Sequence, residues 1–206
     1  MVAIIDYDAG NIKSVEKAVA FLGKEAVITR KPEEILRADH VILPGVGNFG
    51  DAMKKLEKYG LIPVIREVIE KQIPFLGICL GLQLLFNKSD ESPGVGGLGI
   101  LEGEIKRIPG KEGLKIPHIG WNSLSFPREG RLYQGLLEET YVYFVHSYYL
   151  EAKEKEIVTA TTEYGVTIHA SIERGNVFAC QFHPEKSSET GLKILDNFLK
   201  MKREDK

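Results

Sequence analysis

The chain has 206 residues, 27 basic against 29 acidic side chains, a net charge of −2 and 43% apolar residues. That is ample apolar material for a buried core, and the balanced charge offers no basic excess for nucleic acid or an anionic membrane. Its two cysteines, Cys79 and Cys180, lie far apart and argue against a disulfide framework or a cysteine-based zinc site.

Met1 opens directly into Val2-Ala3-Ile4-Ile5. There is no charged leader, and no run approaches the ~20 apolar residues of a membrane span, so a cytoplasmic protein is expected. No linker, repeat or low-complexity stretch divides the chain, and residues 1–206 read as one domain. In chain order, strands are predicted over residues 3–7, 26–29, 41–43 and 74–78, with helices over 11–22, 51–58, 61–71 and 80–86. That alternation implies a parallel sheet covered by helices on both faces. Beyond Leu98 the pattern changes. Strands are predicted over 100–108, 114–117, 140–146, 157–162, 167–173 and 176–182, before a last helix over 188–201. The fold class is therefore α/β, with a mixed sheet that is parallel at its centre and antiparallel toward one side.

Three segments carry chemistry. In Gly77-Ile78-Cys79-Leu80-Gly81 the cysteine sits on a sharp strand-to-helix turn, which pushes a nucleophile into the open and aims the N–H groups of the next helix at its sulfur. In Gln181-Phe182-His183-Pro184-Glu185, strand alternation puts Gln181 and His183 on the face opposite Phe178, Cys180 and Phe182. If the chain stays extended through Pro184, Glu185 joins the His183 side. That gives a base and its orienting acid for a nucleophilic cysteine, while Cys180 reads as core. The third segment, Pro44-Gly45-Val46-Gly47-Asn48-Phe49-Gly50, is a glycine-rich loop that can turn N–H groups toward a phosphate or an oxyanion. It lacks the spacing of a nucleotide-binding loop. All three lie at predicted strand ends, where ligands of such sheets gather.

These segments, with Gln83 and His146-Ser147-Tyr148, resemble the motif set of class I, triad-type glutamine amidotransferases. Asp6-Tyr7-Asp8-Ala9-Gly10-Asn11, His118-Ile119-Gly120-Trp121-Asn122 and Pro184-Glu185-Lys186-Ser187-Ser188 narrow the likeness to one branch of that family. Its glutaminases feed ammonia to a separate (β/α)8-barrel cyclase subunit, which makes imidazole glycerol phosphate and AICAR in histidine biosynthesis. The resemblance implies a flavodoxin-like mixed sheet with an added antiparallel part, glutamine as substrate, a one-to-one heterodimer with the barrel, and neither cofactor nor metal. It implies hydrolase chemistry here and lyase chemistry in the assembly.

Carried over position by position, it gives Cys79, His183 and Glu185 as the triad and the backbone of Val46, Gly47 and Leu80 as the oxyanion hole. Glutamine would be held by Gly47, Leu80, Gln83, Glu91, Ser147 and Tyr148, with Glu91 pairing the α-ammonium. Asn11, Trp121, Asn122, Tyr143 and Lys186 would face the partner. For Trp121 a core position is an equally good reading. Two other functions fit parts of the pattern: a glutaminase serving a different synthase, and a redox or regulatory module with Cys79 as a sensor thiol.

Overall fold

A computed structural model describes residues 1–203. Strand β1 (Val2–Ile5) is buried on both faces, and its alternation divides the core. Ala3 and Ile5 join one apolar cluster, Val2 and Ile4 the other. The chain continues through α1 (Ile12–Phe21), β2 (Ala26–Thr29), α2 (Pro32–Arg37), β3 (His40–Leu43), α3 (Phe49–Lys58), α4 (Leu61–Glu70), β4 (Phe75–Ile78) and α5 (Leu80–Leu84). Then come β5 (Lys88–Ser89), β6 (Gly103–Arg107), β7 (His118–Leu124), β8 (Thr140–His146), β9 (Tyr148–Ala152), β10 (Val158–Glu163), β11 (Thr167–Arg174), β12 (Val177–Cys180) and α6 (Ser188–Leu199).

The central sheet has the order β10-β11-β12-β4-β3-β1-β2. The run from β12 to β2 is parallel, and β10 and β11 extend it antiparallel, as the sequence predicts. Leu56, Leu61, Ile65 and Val68 of α3 and α4 pack on the Ala3 and Ile5 face. Val15 and Val19 of α1, Ile194 and Phe198 of α6, and Val142 and Phe144 of β8 pack on the other. With β4 between β3 and β12, three neighbouring strands end at the same edge. That edge holds the site.

Several predicted elements differ. The strand over 114–117 does not form. Leu114 closes a turn onto the Lys111 carbonyl (2.9 Å), and the Lys115 carbonyl is taken by the Tyr164 hydroxyl (2.6 Å). Helix α5 stops at Leu84 rather than residue 86, because Leu98 N–H takes the Leu84 carbonyl (2.8 Å) and Ile100 N–H that of Leu85 (2.9 Å). The unpredicted α2 carries a proline at its start, Glu33 and Glu34 in its first turn and Arg37 in its last, which suit the helix dipole.

The unpredicted β7 pairs antiparallel with β8 from His118 opposite His146 to Leu124 opposite Thr140. Strand β9, also unpredicted, continues the apolar pattern of β8 past Ser147 but pairs with β6 in a separate sheet. The break falls at the His146-Ser147-Tyr148 segment.

Candidate active site

Cys79 adopts φ 54° and ψ −107° between β4 and α5. A side chain rarely tolerates that conformation, at a cost on the order of 1–3 kcal/mol, and surrounding structure must hold it. It is held on both sides. Cys79 N–H donates to the Cys180 carbonyl (2.8 Å), and its own carbonyl accepts from Leu82 and Gln83 N–H (3.0 and 3.3 Å). The flanking glycines are required by space. A Cβ at Gly81 would lie 1.9 Å from the Leu43 carbonyl oxygen, and one at Gly77 would lie 2.7 Å from that of Gly81. With only five residues, α5 lacks the dipole of a long helix, and the N–H groups of Leu80, Leu82 and Gln83 go to the carbonyls of Gly45 and Cys79.

The structure brings His183 and Glu185 to this cysteine by a route other than the extended one expected. Pro184–Lys186 is a turn of 3-10 helix, and within it His183 Nδ1 donates to Glu185 Oε1 at 2.7 Å. Tyr143 holds the turn from β8: its carbonyl accepts from His183 N–H (2.9 Å), and its N–H donates to Ser187 Oγ (2.9 Å), which donates to the His183 carbonyl (2.7 Å). Asn11 Nδ2 donates to the same Glu185 Oε1, so a residue assigned to the partner surface also orients the acid. His183 is fully buried, and its Nε2 makes no hydrogen bond in the resting chain. Burial works against its charged form, but attraction to Cys79 and Glu185 outweighs this and pushes the pKa up to about 10.

Cys79 lines a cavity of about 340 Å³ together with Val46, Gly47, Leu80, Gln83, Glu91, Pro117, Val145, His146, Ser147 and Tyr148. Every residue expected to bind glutamine is among them. A wider depression of about 570 Å³ elsewhere is bordered by the ion pairs Glu102–Lys153 and Lys106–Glu151 and holds no nucleophile. Glu91 is no simple solvated loop acid. Its Oε2 accepts from Phe49 N–H (2.7 Å), while Ser92 Oγ takes Gly50 N–H (2.9 Å) and Asn48 Oδ1 takes Asp51 N–H (3.1 Å), so it helps cap α3.

Gly47 adopts φ 109°, and Val46 and Gly47 are exposed beside Cys79. The buried Tyr7 hydroxyl anchors the base of their loop by donating to the Pro44 carbonyl (2.8 Å). Leu80 N–H is already engaged, donating to the Gly45 carbonyl at 3.2 Å.

Of the expected partner-facing residues, Trp121 is half exposed and meets Tyr143 edge-on at 6.1 Å, which sets aside its core reading. Lys186 is exposed. Asn122 is half-buried on the other face of β7. Strand alternation turns it away from Trp121, and its amide donates to the Glu163 carbonyl (3.0 Å) while its Oδ1 accepts Ser123 N–H (2.9 Å).

Gln181, His118 and the His146 side chain, to which the sequence assigns no role, are all buried around the site. Gln181 was signalled by sharing a face with His183; the two histidines lacked a signal because their pairing depends on β7 meeting β8. His118 stacks on Phe144 and Tyr164 at 4.8 and 3.8 Å, and burial lowers its pKa to about 4. Burial lowers that of His146 to about 3. Among the described residues no group of three or more His, Cys, Asp or Glu is arranged to hold a metal ion, and no helix is long and apolar enough to cross a membrane.

A buried cysteine on a strained strand-to-helix turn, with an oriented histidine and a loop of backbone donors at adjacent strand ends, defines a nucleophilic amide-cleaving site on an α/β sheet. The chain belongs to the class-I glutamine amidotransferase family, which it matches over residues 3–201. It is 55% identical over 197 residues to imidazole glycerol phosphate synthase subunit HisH of Moorella thermoacetica, covering 96% of this chain and 93% of that one. To the HisH subunit of Caldanaerobacter subterraneus subsp. tengcongensis it is 52% identical over 201 residues, or 98% of each chain. A glutamine amidotransferase of known crystal structure superposes with a TM-score of 0.75 over 97% of each chain; at 22% identity that likeness concerns the fold. The lyase chemistry expected of the assembly does not carry to this chain, whose family is one of amide-nitrogen transfer.

Proposed function

We propose that this chain, working as one domain in the cytoplasm, is the glutaminase subunit of imidazole glycerol phosphate synthase in histidine biosynthesis, paired one-to-one with a (β/α)8-barrel cyclase. The observation that carries the chemistry is Cys79 in the wall of one cavity, with His183 buried behind it and held by Glu185. The subunit assignment rests on the 52–55% identity to HisH proteins over nearly the whole chain.

Glutamine enters with its α-ammonium toward Glu91, because a zwitterion in a cleft needs its charges paired, and its carboxamide carbon over Cys79. Cys79 attacks that carbon as the thiolate, its proton already carried by His183. The tetrahedral oxyanion is held by backbone N–H of Leu80 and of the Val46-Gly47 peptide. His183 then protonates the leaving nitrogen, ammonia departs, and water activated by His183 hydrolyses the thioester to glutamate. Glu185, held by Asn11, fixes the His183 tautomer and balances its charge. Trp121, Tyr143, Lys186 and Asn11 form the face that receives the barrel. A sensor thiol would need no oriented proton acceptor, which disfavours the redox reading.

The test mixes the chain with its barrel partner and supplies glutamine carrying ¹⁵N in its amide alongside excess unlabelled ammonium. The label should appear undiluted in the imidazole ring. A product carrying mainly unlabelled nitrogen would refute direct transfer, and absence of glutamate formation would refute the glutaminase reading.

A further inference from the structure

Behind Cys79 runs a chain of buried polar groups whose donor directions are set by one backbone carbonyl. Tyr148 O can only accept. It takes His146 Nδ1–H at 2.9 Å and Gln83 Nε2–H at 3.1 Å. The carboxamide of Gln83 is thus oriented, and its Nε2 also donates to Gln181 Oε1 at 3.0 Å. That in turn leaves the amino group of Gln181 facing the nucleophile, with Nε2 3.6 Å from Cys79 Sγ. Gln181 is fully buried, and its backbone N–H is fixed to the Ala170 carbonyl (2.8 Å). On the other side, the neutral His146 can only accept at Nε2, so His118 Nδ1 donates to it at 3.0 Å.

We propose that Gln181 is a further catalytic residue, whose side-chain N–H stabilises Cys79 as the thiolate, and that Gln83 is its positioning residue. This rests on the reading of Cys79 as nucleophile. A buried donor has few alternatives, and a hydrogen bond to a charged group is worth more than one to a neutral group. The arrangement also gives Gln83 a second task beside substrate contact: its amino group serves Gln181 and Tyr148, which leaves its carbonyl oxygen for the ligand.

The test follows alkylation of Cys79 by iodoacetamide against pH, with the modified peptide identified and the fully buried Cys180 as internal comparison. Gln181→Met keeps the length of the side chain and removes the donor. Alkylation near pH 6.5 should slow roughly tenfold, with the whole profile displaced upward by about one unit. In the complex, kcat should fall roughly tenfold to a hundredfold with KM for glutamine within about twofold. Gln83→Leu should displace the profile in the same direction, and the double variant should add little further, since both act through one hydrogen bond. If Gln181→Met does not fold, Gln181→Glu, isosteric with its acceptor facing the sulfur, must show the displacement instead. A profile coincident with that of the unmodified chain overturns the inference even where turnover falls. Full turnover in Cys79→Ala would overturn the glutaminase reading instead, so the two failures are told apart.

Discussion

The backbone N–H of Leu80 donates to the carbonyl of Gly45 at 3.2 Å, so one donor expected for the oxyanion is occupied by the loop that should supply the others. An occupied donor cannot hold a developing charge, and one missing oxyanion donor is typically worth ~10² to 10³ in rate. The isolated chain should therefore turn over glutamine slowly. Association with the barrel should raise the rate, and a nucleotide analogue bound in the barrel should raise it again. Glutamate release measured for the three states would show the ladder; equal rates would refute the coupling and leave the triad assignment intact.

Cys79→Ala should lower glutamine-dependent synthesis by on the order of 10³ to 10⁶, with ammonium-dependent synthesis by the partner retained. Cys180, buried among Phe178, Phe182 and Phe198, should be replaceable by alanine with nearly full glutaminase activity. An inactive but well-folded Cys180→Ala would count against the assignment.

His183→Ala should cost about as much as loss of Cys79, and Glu185→Gln one to two orders of magnitude less, with glutamine binding little changed. The charged His183 also leaves a pH signature. Its pKa is raised from 6.5 to about 10 in the folded chain, so its stabilising contribution is complete below pH 6.5 and lost as pH rises toward 10. Urea unfolding of the unmodified chain and of His183→Gln should converge over that window. Parallel curves would show that the imidazole is not charged.

The His118 and His146 pair has the opposite sign. Both are depressed from 6.5, to about 4 and about 3, so the unfolded chain binds their protons first and stability falls as pH drops below 6.5. Each contributes up to about 1.4 kcal/mol per pH unit in that window. His118→Phe, which keeps the stacking on Phe144 and Tyr164, should give a shallower loss between pH 6.5 and 5. An unchanged slope would show that the buried imidazole is already charged.

Much of the site was legible in the sequence because its chemistry is local. Cys79 needs glycines within two residues to make its turn, and His183 and Glu185 sit two apart on one short segment. The parallel half of the fold was legible for a similar reason, since apolar runs such as Val41-Ile42-Leu43 and helical periodicity are properties of short windows.

What the sequence by itself determined, then, was the α/β class and the strand ends on which the candidate cysteine, histidine and glycine-rich loop lie. Only the tertiary structure decided how those groups are held. The reach of Asn11 to the Glu185 carboxylate and the line from Tyr148 through Gln83 and Gln181 to Cys79 join residues distant in the chain, and the 3-10 turn that puts Glu185 on His183 is pinned from outside by Tyr143 of β8. Their physical reason is common. A buried polar group must find its partner wherever packing delivers one, and the packing of β8 against β4 and β12 is set by the whole fold rather than by any window of sequence.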